Sequence, residues 1–320
     1  MVAGDSTAGS DTVRFLLPYP LSRIGGLPED LHVMVWDGSG DPPSPESLTG
    51  VEFFVVPYGS TDAAVALFGR MPFLRVVQSL SAGVDDLARH VPPGVVLCNA
   101  RGVHDASTAE LAVSLILASL RGIPDFVRAQ TAETWQPGFR PALADRTVLL
   151  VGHGSIAAAL EERLIPFECD ILRVARTART VPRGAVHALS QLAELLPRAD
   201  VVVLTLPLTD ETRGLVDAGF LSLMRDGALL VNVSRGAVVD TEALLRELTA
   251  GRLLAALDVT HPEPLPTGHP LWRAPNTLIS PHVGGNSSAF LPRAMRLIRT
   301  QLLCHRAGEP LANIVTKGSR

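Results

Sequence analysis

A single histidine follows a short apolar run near the end of the chain. The segment NTLISPHVGG covers residues 276–285 and places His282 directly after Pro281, with Gly284 and Gly285 close behind. An imidazole can donate or accept a proton near neutral pH, so at the end of a buried strand it is a candidate acid or base. A loop histidine beside a turn is the alternative, and this segment alone does not decide between them.

A glycine-containing loop with the spacing G-x-G-x-x-A lies in VLLVGHGSIAAAL, between an apolar run and a helical segment. Gly152 allows the tight turn, Gly154 lets a pyrophosphate approach the backbone, and Ala157 is an accepted variant at the third position. The free N–H groups of Ser155 and Ile156 at the helix start are predicted to bind the phosphate charge. The strand–loop–helix context favours a dinucleotide site over a simple glycine turn.

The segment RVARTAR follows the next apolar run. A fold that prefers NAD would place a carboxylate there for the ribose 2′-hydroxyl, but none occurs between Asp170 and Glu194. Arg176, Thr177 and Arg179 instead offer guanidinium groups and a hydroxyl, which suit a 2′-phosphate. We therefore predict a preference for NADP(H), with NAD(H) as the alternative cofactor. An ordinary basic surface loop would have the same composition.

These residues require a scaffold, and short apolar runs alternate with helical segments from residue 147 onward. The runs are four to eight residues long and rich in Val, Leu and Ile, which is typical of strands buried on both faces of a parallel sheet. They cover residues 147–152, 170–175, 200–207, 228–233, 253–259 and 277–280. One helical segment has Asp240 placed to cap its start and Gly251 to end it. The alternation predicts a doubly wound α/β sheet.

The first hundred residues show a second, smaller alternation. Its apolar runs cover residues 13–18, 31–36, 51–56, 74–80 and 94–99. Two long helical segments remain, from Ser107 to about Arg128 and from Ser287 to about Arg306. Because the second returns the chain to the first unit, we predict two Rossmann-like α/β domains. A dinucleotide-binding domain, residues 106–285, is inserted into a smaller flavodoxin-like substrate domain, residues 1–105 and 286–320.

The composition argues against several classes of protein. The chain has 320 residues, 47% hydrophobic and 19% charged, which is typical of a globular protein with room for two domains. A net charge of −4 and the lack of a long basic run give no reason to expect nucleic acid as a partner. Three widely spaced cysteines without a CxxC motif argue against a disulfide framework and favour a reducing cytoplasm.

Neither a membrane nor a metal is expected. The first twelve residues, MVAGDSTAGSDT, are polar and small, which predicts a frayed tail rather than a signal peptide. The apolar helical run at residues 111–120 is shorter than the roughly 20 residues that span a bilayer. Histidines and a glutamate lie close in sequence at residues 261–282, but neither HxH nor HExxH spacing occurs.

Several segments, in order along the chain, together resemble the D-isomer-specific 2-hydroxyacid dehydrogenase family over nearly the whole length. They are LSAGVDDL, CNARGVHDASTAEL, VGHGSIA, LPLTDETRGLV, GALLVNVSRGAVVD, ALDVTHPEPLP and SPHVGG. The resemblance implies a nicotinamide domain inserted into a substrate domain, and a small 2-oxoacid or D-2-hydroxyacid as substrate. It also implies a homodimer through the cofactor domain, for which the apolar helix AELAVSLILASLRG is suited.

The catalytic trio of that family falls on Arg235, Glu263 and His282. In this role Arg235 would hold the substrate carboxylate and polarise the ketone with its planar guanidinium. His282 would donate a proton while hydride arrives from the nicotinamide, and would act as base in the reverse direction. Glu263 would bond the other ring nitrogen and favour the protonated imidazole. The alternatives are a surface arginine and a solvated loop carboxylate.

The resemblance implies further contacts. The backbone N–H groups of the segment Ser81, Ala82 and Gly83 match those that receive a substrate carboxylate, where small residues allow close approach. Asp258 matches the aspartate that meets the nicotinamide carboxamide. The other positions that the resemblance assigns to the cofactor site are Thr205, Pro207, Val233 and Gly284.

The sequence thus predicts an NAD(P)-dependent oxidoreductase, such as a reductase of glyoxylate, hydroxypyruvate or a related small acid. Formate dehydrogenases share the fold but carry glutamine where Glu263 stands, which argues against that branch. A dinucleotide-sensing binding protein of the corepressor type, on the same fold, stays open because such proteins retain the trio. The lack of basic or low-complexity interaction tails argues against it.

Overall fold

The computed structural model describes residues 15–316. The chain divides into two compact units, one formed by the segments up to Val103 and from Leu291, the other by His104–Phe290. The predicted domain boundaries, 105/106 and 285/286, stay a prediction. The predicted N-terminal tail and the first residues of the run 13–18 lie outside the described residues.

The strands are short and mostly coincide with the centres of the predicted apolar runs. They are β1 (Phe15–Leu17), β2 (Val33–Val35), β3 (Phe53–Val55), β4 (Val76–Gln78), β5 (Val96–Cys98), β6 (Thr147–Val151), β7 (Asp170–Ala175), β8 (Arg179–Val181), β9 (Gly184–Ala188), β10 (Val201–Leu204), β11 (Leu229–Asn232), β12 (Leu254–Leu257), β13 (Thr277–Ile279) and β14 (Ile314–Thr316).

Eleven α-helices lie within residues 15–316. They are α1 (Leu21–Ile24), α2 (Pro45–Leu48), α3 (Thr61–Val65), α4 (Asp85–Ala88), α5 (Asp105–Leu120), α6 (Ile123–Thr131), α7 (Ser155–Leu164), α8 (Leu192–Leu195), α9 (Ala218–Leu223), α10 (Thr241–Thr249) and α11 (Phe290–Ala307). Short 3₁₀ helices cover Phe68–Arg70, Ile165–Phe167, Leu189–Gln191, Leu196–Arg198, Gly236–Val238 and Pro270–Arg273. Asp240 caps α10 as predicted, since its carboxylate accepts from the Ala243 N–H.

The sheet of the first unit has the order β14-β5-β4-β3-β1-β2. Strands β1 to β5 pair in parallel, and β14 joins the edge strand β5 in antiparallel orientation. The order β2-β1-β3-β4-β5 is that of a flavodoxin-like sheet. The predicted architecture of this unit is therefore confirmed.

The second unit carries the sheet β13-β12-β11-β10-β6-β7-β9-β8. Apart from the edge strand β8, the strands are parallel and follow the order of a dinucleotide-binding fold, with β6 and β10 side by side where the chain reverses its direction of winding. Ligands of such sheets bind outside the carboxyl ends of the strands at this switch point. The residues after β6 and β10 are thus the expected cofactor site.

The central strands are apolar throughout because both of their faces are covered. Alternate residues of β10 point to opposite sides: Val202 and Leu204 join one apolar layer, Val201 and Val203 the other. All of these side chains are buried. This double covering explains why the runs lack the alternation of a half-exposed strand, and it holds the loops that follow β6, β10, β11 and β12 on a rigid base.

The prediction of one long helix from Ser107 to about Arg128 is wrong. Helices α5 and α6 occupy this segment, and their axes are bent by 64°. Gly122 between them has φ +65°, and Pro124 lies in the first turn of α6, where a missing N–H costs no hydrogen bond. In residues 15–316 no single helix is long and apolar enough to cross a membrane; α5 and α6 pass that test together, by length and composition only.

Candidate active site

Three loops at the carboxyl ends of neighbouring strands carry the predicted catalytic trio. Strands β11, β12 and β13 pair side by side in parallel, so their ends share one edge of the sheet. Arg235 follows β11, Glu263 lies on the loop after β12, and His282 lies on the loop after β13. The fold of the second unit therefore delivers all three residues to one edge.

Glu263 and His282 are in direct contact. The Nδ1 atom of His282 forms a short hydrogen bond to the Oε1 atom of Glu263. Because an ionised carboxylate only accepts, Nδ1 carries the proton in this contact. Both side chains are partly exposed, 46% for His282 and 38% for Glu263, so the imidazole can exchange protons with solvent.

This contact changes the protonation of both groups. The hydrogen bond to Glu263 raises the pKa of His282 above its usual value, against the effects of burial and of the Arg235 charge. Burial alone would raise the pKa of Glu263, but the hydrogen bond and charge of His282 lower it below its usual value. The pair thus favours the state in which His282 is an imidazolium and Glu263 a carboxylate.

Asp258 fixes the backbone of the loop that carries His282. Its Oδ1 atom accepts from the Ser280 hydroxyl at 2.6 Å and from the Val283 N–H at 2.9 Å, and its Oδ2 atom accepts from the Gly284 N–H at 2.9 Å. Its backbone carbonyl accepts from the His282 N–H at 2.7 Å. His282 has φ +52°, a conformation that needs such support in a residue other than glycine.

The turn that carries Arg235 is held by the buried Asn232. The Asn232 amide donates to the carbonyl of Arg235 at 3.0 Å and accepts from the N–H and hydroxyl of Ser234 at 3.0 and 2.8 Å. Gly236 follows in close contact with the backbone of Thr260, where a Cβ atom would overlap the Thr260 carbonyl. Glycine at this position therefore lets the turn after β11 approach the loop that leads to Glu263.

The predicted phosphate loop lies between β6 and α7. Gly152 has φ +97°, and a Cβ atom there would lie 2.9 Å from the Leu206 N, so the tight turn requires glycine. Thr205, on the loop after β10, donates its hydroxyl to the Gly152 carbonyl at 2.7 Å. The loops after β6 and β10 are thereby joined at the switch point of the sheet.

The predicted substrate loop lies in the first unit, after β4. The Asn99 amide donates to the Ala82 carbonyl at 2.9 Å, and the Ser81 carbonyl accepts from the Ala100 N–H at 2.9 Å. In a trans peptide the N–H points opposite to the C=O, so Asn99 turns the Gly83 N–H away from itself. The loop is therefore held with a defined direction for this donor.

Comparison with known proteins decides the family. Residues 113–284 match the model of the D-isomer specific 2-hydroxyacid dehydrogenase NAD binding domain. The glyoxylate reductase/hydroxypyruvate reductase of Mus musculus is 35% identical over 74% of this chain and 76% of its own. The chain belongs to the D-isomer-specific 2-hydroxyacid dehydrogenase family. The predictions of this family, of the two-domain α/β fold class and of an NAD(P)-dependent 2-hydroxyacid dehydrogenase are confirmed.

Solved structures of family members agree over almost the full chain. The D-isomer specific 2-hydroxyacid dehydrogenase of Xanthobacter autotrophicus Py2, in complex with NADPH and MES, is 30% identical, with a TM-score of 0.79 over 95% of this chain and 98% of its own. The NADPH-dependent glyoxylate/hydroxypyruvate reductase of Sinorhizobium meliloti, in complex with NADP and sulfate, is 25% identical, with a TM-score of 0.80 over 94% and 97%.

The phosphate loop of this 2-hydroxyacid dehydrogenase fits the dinucleotide that the family uses. A Cβ atom on the exposed Gly154 would meet no atom within 4 Å, so open space borders the backbone there. Helix α7 begins at Ser155, directly after Gly154. The first N–H groups of this helix, from Ser155 and Ile156, have no partner within the helix and lie next to this open space. Gly154, Ser155 and Ile156 are therefore placed to hold a phosphate group.

The other predicted cofactor residues occupy several environments. Arg176 and Thr177 are exposed on the turn between β7 and β8. The exposed Pro207 follows β10, and its carbonyl accepts from the Thr212 hydroxyl at 2.7 Å. Val233 and Gly284 are buried beside the catalytic loops. Their contacts with a cofactor, and that of Asp258, stay predictions.

The sequence does not indicate some of the residues that organise this site. Asn232, Ser280 and the backbone of Thr260 hold the three catalytic loops, but a polar residue near a strand end has no distinctive pattern. The hairpin β8–β9 is not predicted because its strands are short and partly exposed. It places Arg179, which the sequence groups with Arg176, at the start of β8. In residues 15–316 no group of three or more His, Cys, Asp or Glu side chains could hold a metal ion.

Proposed function

We propose that this 2-hydroxyacid dehydrogenase reduces a small 2-oxoacid of the glyoxylate or hydroxypyruvate type and prefers NADPH. The observation that carries the proposal is the His282–Glu263 hydrogen bond at the sheet edge that also bears Arg235. The relatives named for this reaction support the substrate class. The Ser81, Ala82 and Gly83 segment is proposed to bind the substrate carboxylate through its N–H groups.

The chain's own residues supply a cation, a proton and an oriented acid. Arg235 binds the carboxylate of the oxoacid and polarises its carbonyl oxygen. His282, protonated on both nitrogens, donates the Nε2 proton to that oxygen while Glu263 keeps the ring in place through Nδ1. The bound reduced nicotinamide supplies the hydride. Neutral His282 then regains its proton from solvent, to which its side chain is partly exposed.

A panel of 2-oxoacids tests this function. Purified protein with NADPH should oxidise the cofactor when glyoxylate or hydroxypyruvate is added, measured as loss of the absorbance of the reduced nicotinamide. If no 2-oxoacid supports turnover while the dinucleotide still binds, the protein is instead a dinucleotide-sensing binding protein of the corepressor type. The same panel ranks the substrates.

The preference for NADPH is supported by the exposed turn between β7 and β8. Arg176 and Thr177 lie there, and residues 171–193 contain no carboxylate that would bind a ribose 2′-hydroxyl. Replacing Arg176 with Asp should lower kcat/KM for NADPH by about tenfold or more, since it removes a charge-assisted bond and adds repulsion. The kcat/KM for NADH should hold or rise. An unchanged ratio of the two values would refute the assignment of this turn.

The assembly and location are part of the proposal. We propose a cytoplasmic homodimer formed through the dinucleotide-binding domain, with neither nucleic acid nor membrane as a partner. Exposed apolar side chains on α6 and the following loop support this interface. They are Ile123, Phe126, Val127, Trp135 and Phe139. The domain assignment, 106–285 inserted into 1–105 and 286–320, belongs to the same proposal.

A further inference from the structure

The residue between the two glycines of the phosphate loop has contacts that the sequence pattern does not require. The side chain of His153 is only 8% exposed. Its Nε2 atom lies 3.1 Å from Glu161 Oε2 on α7, and its Nδ1 atom lies 3.4 Å from the Arg179 guanidinium. The same guanidinium nitrogen donates to the His153 carbonyl at 2.6 Å.

These partners define the state of the imidazole. A carboxylate only accepts, so Nε2 carries a proton toward Glu161. A guanidinium only donates, so Nδ1 presents a lone pair toward Arg179. Both ring nitrogens of His153 are thus engaged, one as a donor to Glu161 and the other as an acceptor from Arg179.

Glu161, the acceptor for His153, is itself held in place by Arg173. It is 2% exposed, and the Arg173 guanidinium on β7 binds both of its oxygens, at 2.9 and 2.5 Å. Burial would raise the pKa of Glu161, but the bonds from Arg173 and His153 lower it below its usual value, so it is a carboxylate at neutral pH. A buried, ionised and doubly bonded acceptor gives the His153 ring one orientation.

The chain of contacts joins two separate loops. Arg179 begins β8, and its backbone is paired with Val186 of β9. Its side chain reaches back to His153 of the phosphate loop, and this Arg179–His153 contact is called the clasp below. The turn with Arg176 and Thr177 therefore has β7 at one end and the clasp at the other. Loss of this contact would remove the link between that turn and the phosphate loop and leave the turn held by β7 and by the pairing of β8 with β9.

We propose that His153 is a positioning residue for the cofactor's 2′-phosphate: it holds Arg179 against the phosphate loop and so presents the Arg176–Arg179 turn to that group. The inference rests on the proposed preference for NADP(H). The proposed role of His153 differs from a purely structural role in its effect on the two dinucleotides. A structural role would affect NAD and NADP alike, whereas this role affects only the dinucleotide that carries the 2′-phosphate.

Binding of NADP⁺ and NAD⁺ to the full chain, measured by isothermal titration calorimetry without substrate, tests the inference. His153→Leu should weaken NADP⁺ binding by about tenfold and NAD⁺ binding by less than about twofold, as expected for the loss of a charge-assisted contact to phosphate. His153→Gln, which keeps a donor and an acceptor, should retain most of the preference. Glu162→Gln is the matched control, since Glu162 is the neighbouring carboxylate on α7 and pairs with the exposed Arg183.

The possible results are distinct. If the wild-type protein binds NAD⁺ and NADP⁺ equally, the proposed cofactor preference is wrong. If it prefers NADP⁺ and His153→Leu leaves the ratio of dissociation constants unchanged, the role of His153 is wrong. Should His153→Leu fail to fold, His153→Ala, which also removes the ring contact with Arg179, carries the same comparison: a selective loss of NADP⁺ affinity supports the role of His153, and an unchanged ratio overturns it.

Discussion

His282→Ala is expected to lower kcat for reduction of the 2-oxoacid by about 10²- to 10⁴-fold, the usual contribution of a positioned general acid. The variant lacks the imidazole that donates the proton, while Arg235 and the phosphate loop remain. The dissociation constant of NADPH should therefore change little. Stopped-flow measurement of a single turnover, together with a separate binding titration, distinguishes loss of chemistry from loss of binding.

The backbone at His282 requires a second variant. Its φ of +52° is tolerated better by asparagine than by alanine, so His282→Asn keeps the loop conformation while it removes the acid. Both variants should lose activity to a similar extent. His90→Ala, at an exposed histidine of the other unit, is the matched control and should retain wild-type rates. An active His282→Asn enzyme would remove His282 from the proposed mechanism.

Much of the fold could be predicted because its signals are local. The apolar runs of β6, β10 and β11 lie in a sheet covered on both faces, so length and composition alone distinguish them from surface strands. The Gly152 turn also has a local cause, since its φ of +97° favours glycine. The break between α5 and α6 is not predicted, although Gly122 and Pro124 are visible in the sequence, because the apolar pattern continues across them.

The arrangement within the site could be predicted only in part. The sequence predicts that Arg235, Glu263 and His282 lie at the ends of strands of one sheet, but it does not predict the contacts that orient their side chains. Asp258 is an example: the resemblance assigns it to the nicotinamide, and the structure has both of its oxygens bonded to the His282 loop. Such contacts join residues more than twenty positions apart, and each depends on how the whole loop folds.

Glu263→Gln is expected to change the pH dependence of the reaction in a defined direction. Glutamine has nearly the same shape and can accept from Nδ1, so the ring stays in place. The negative charge is lost, while burial and the Arg235 charge, which both lower the pKa of His282, remain. The pKa of His282 should therefore fall below its wild-type value.

The pH profiles of reduction and of oxidation should both move to lower pH when the pKa of His282 falls. Reduction needs the imidazolium, so its rate decreases as pH rises through the pKa of His282, and in Glu263→Gln this decrease should begin at lower pH. Oxidation of the 2-hydroxyacid needs the neutral imidazole, so its rate should begin to rise at lower pH. If the pKa of His282 falls by about one, reduction at a pH above that pKa should be about tenfold slower than in the wild type.

Profiles of kcat against pH for both directions, measured with saturating cofactor, check this prediction. Glu194→Gln, which removes an exposed carboxylate from the first turn of α8, should leave both profiles unchanged. If Glu263→Gln only lowered the rate, with both profiles unmoved, Glu263 would orient the ring without setting its charge. Movement of both profiles to lower pH would instead establish that the carboxylate keeps His282 protonated, and that the raised pKa suits the enzyme to reduction near neutral pH.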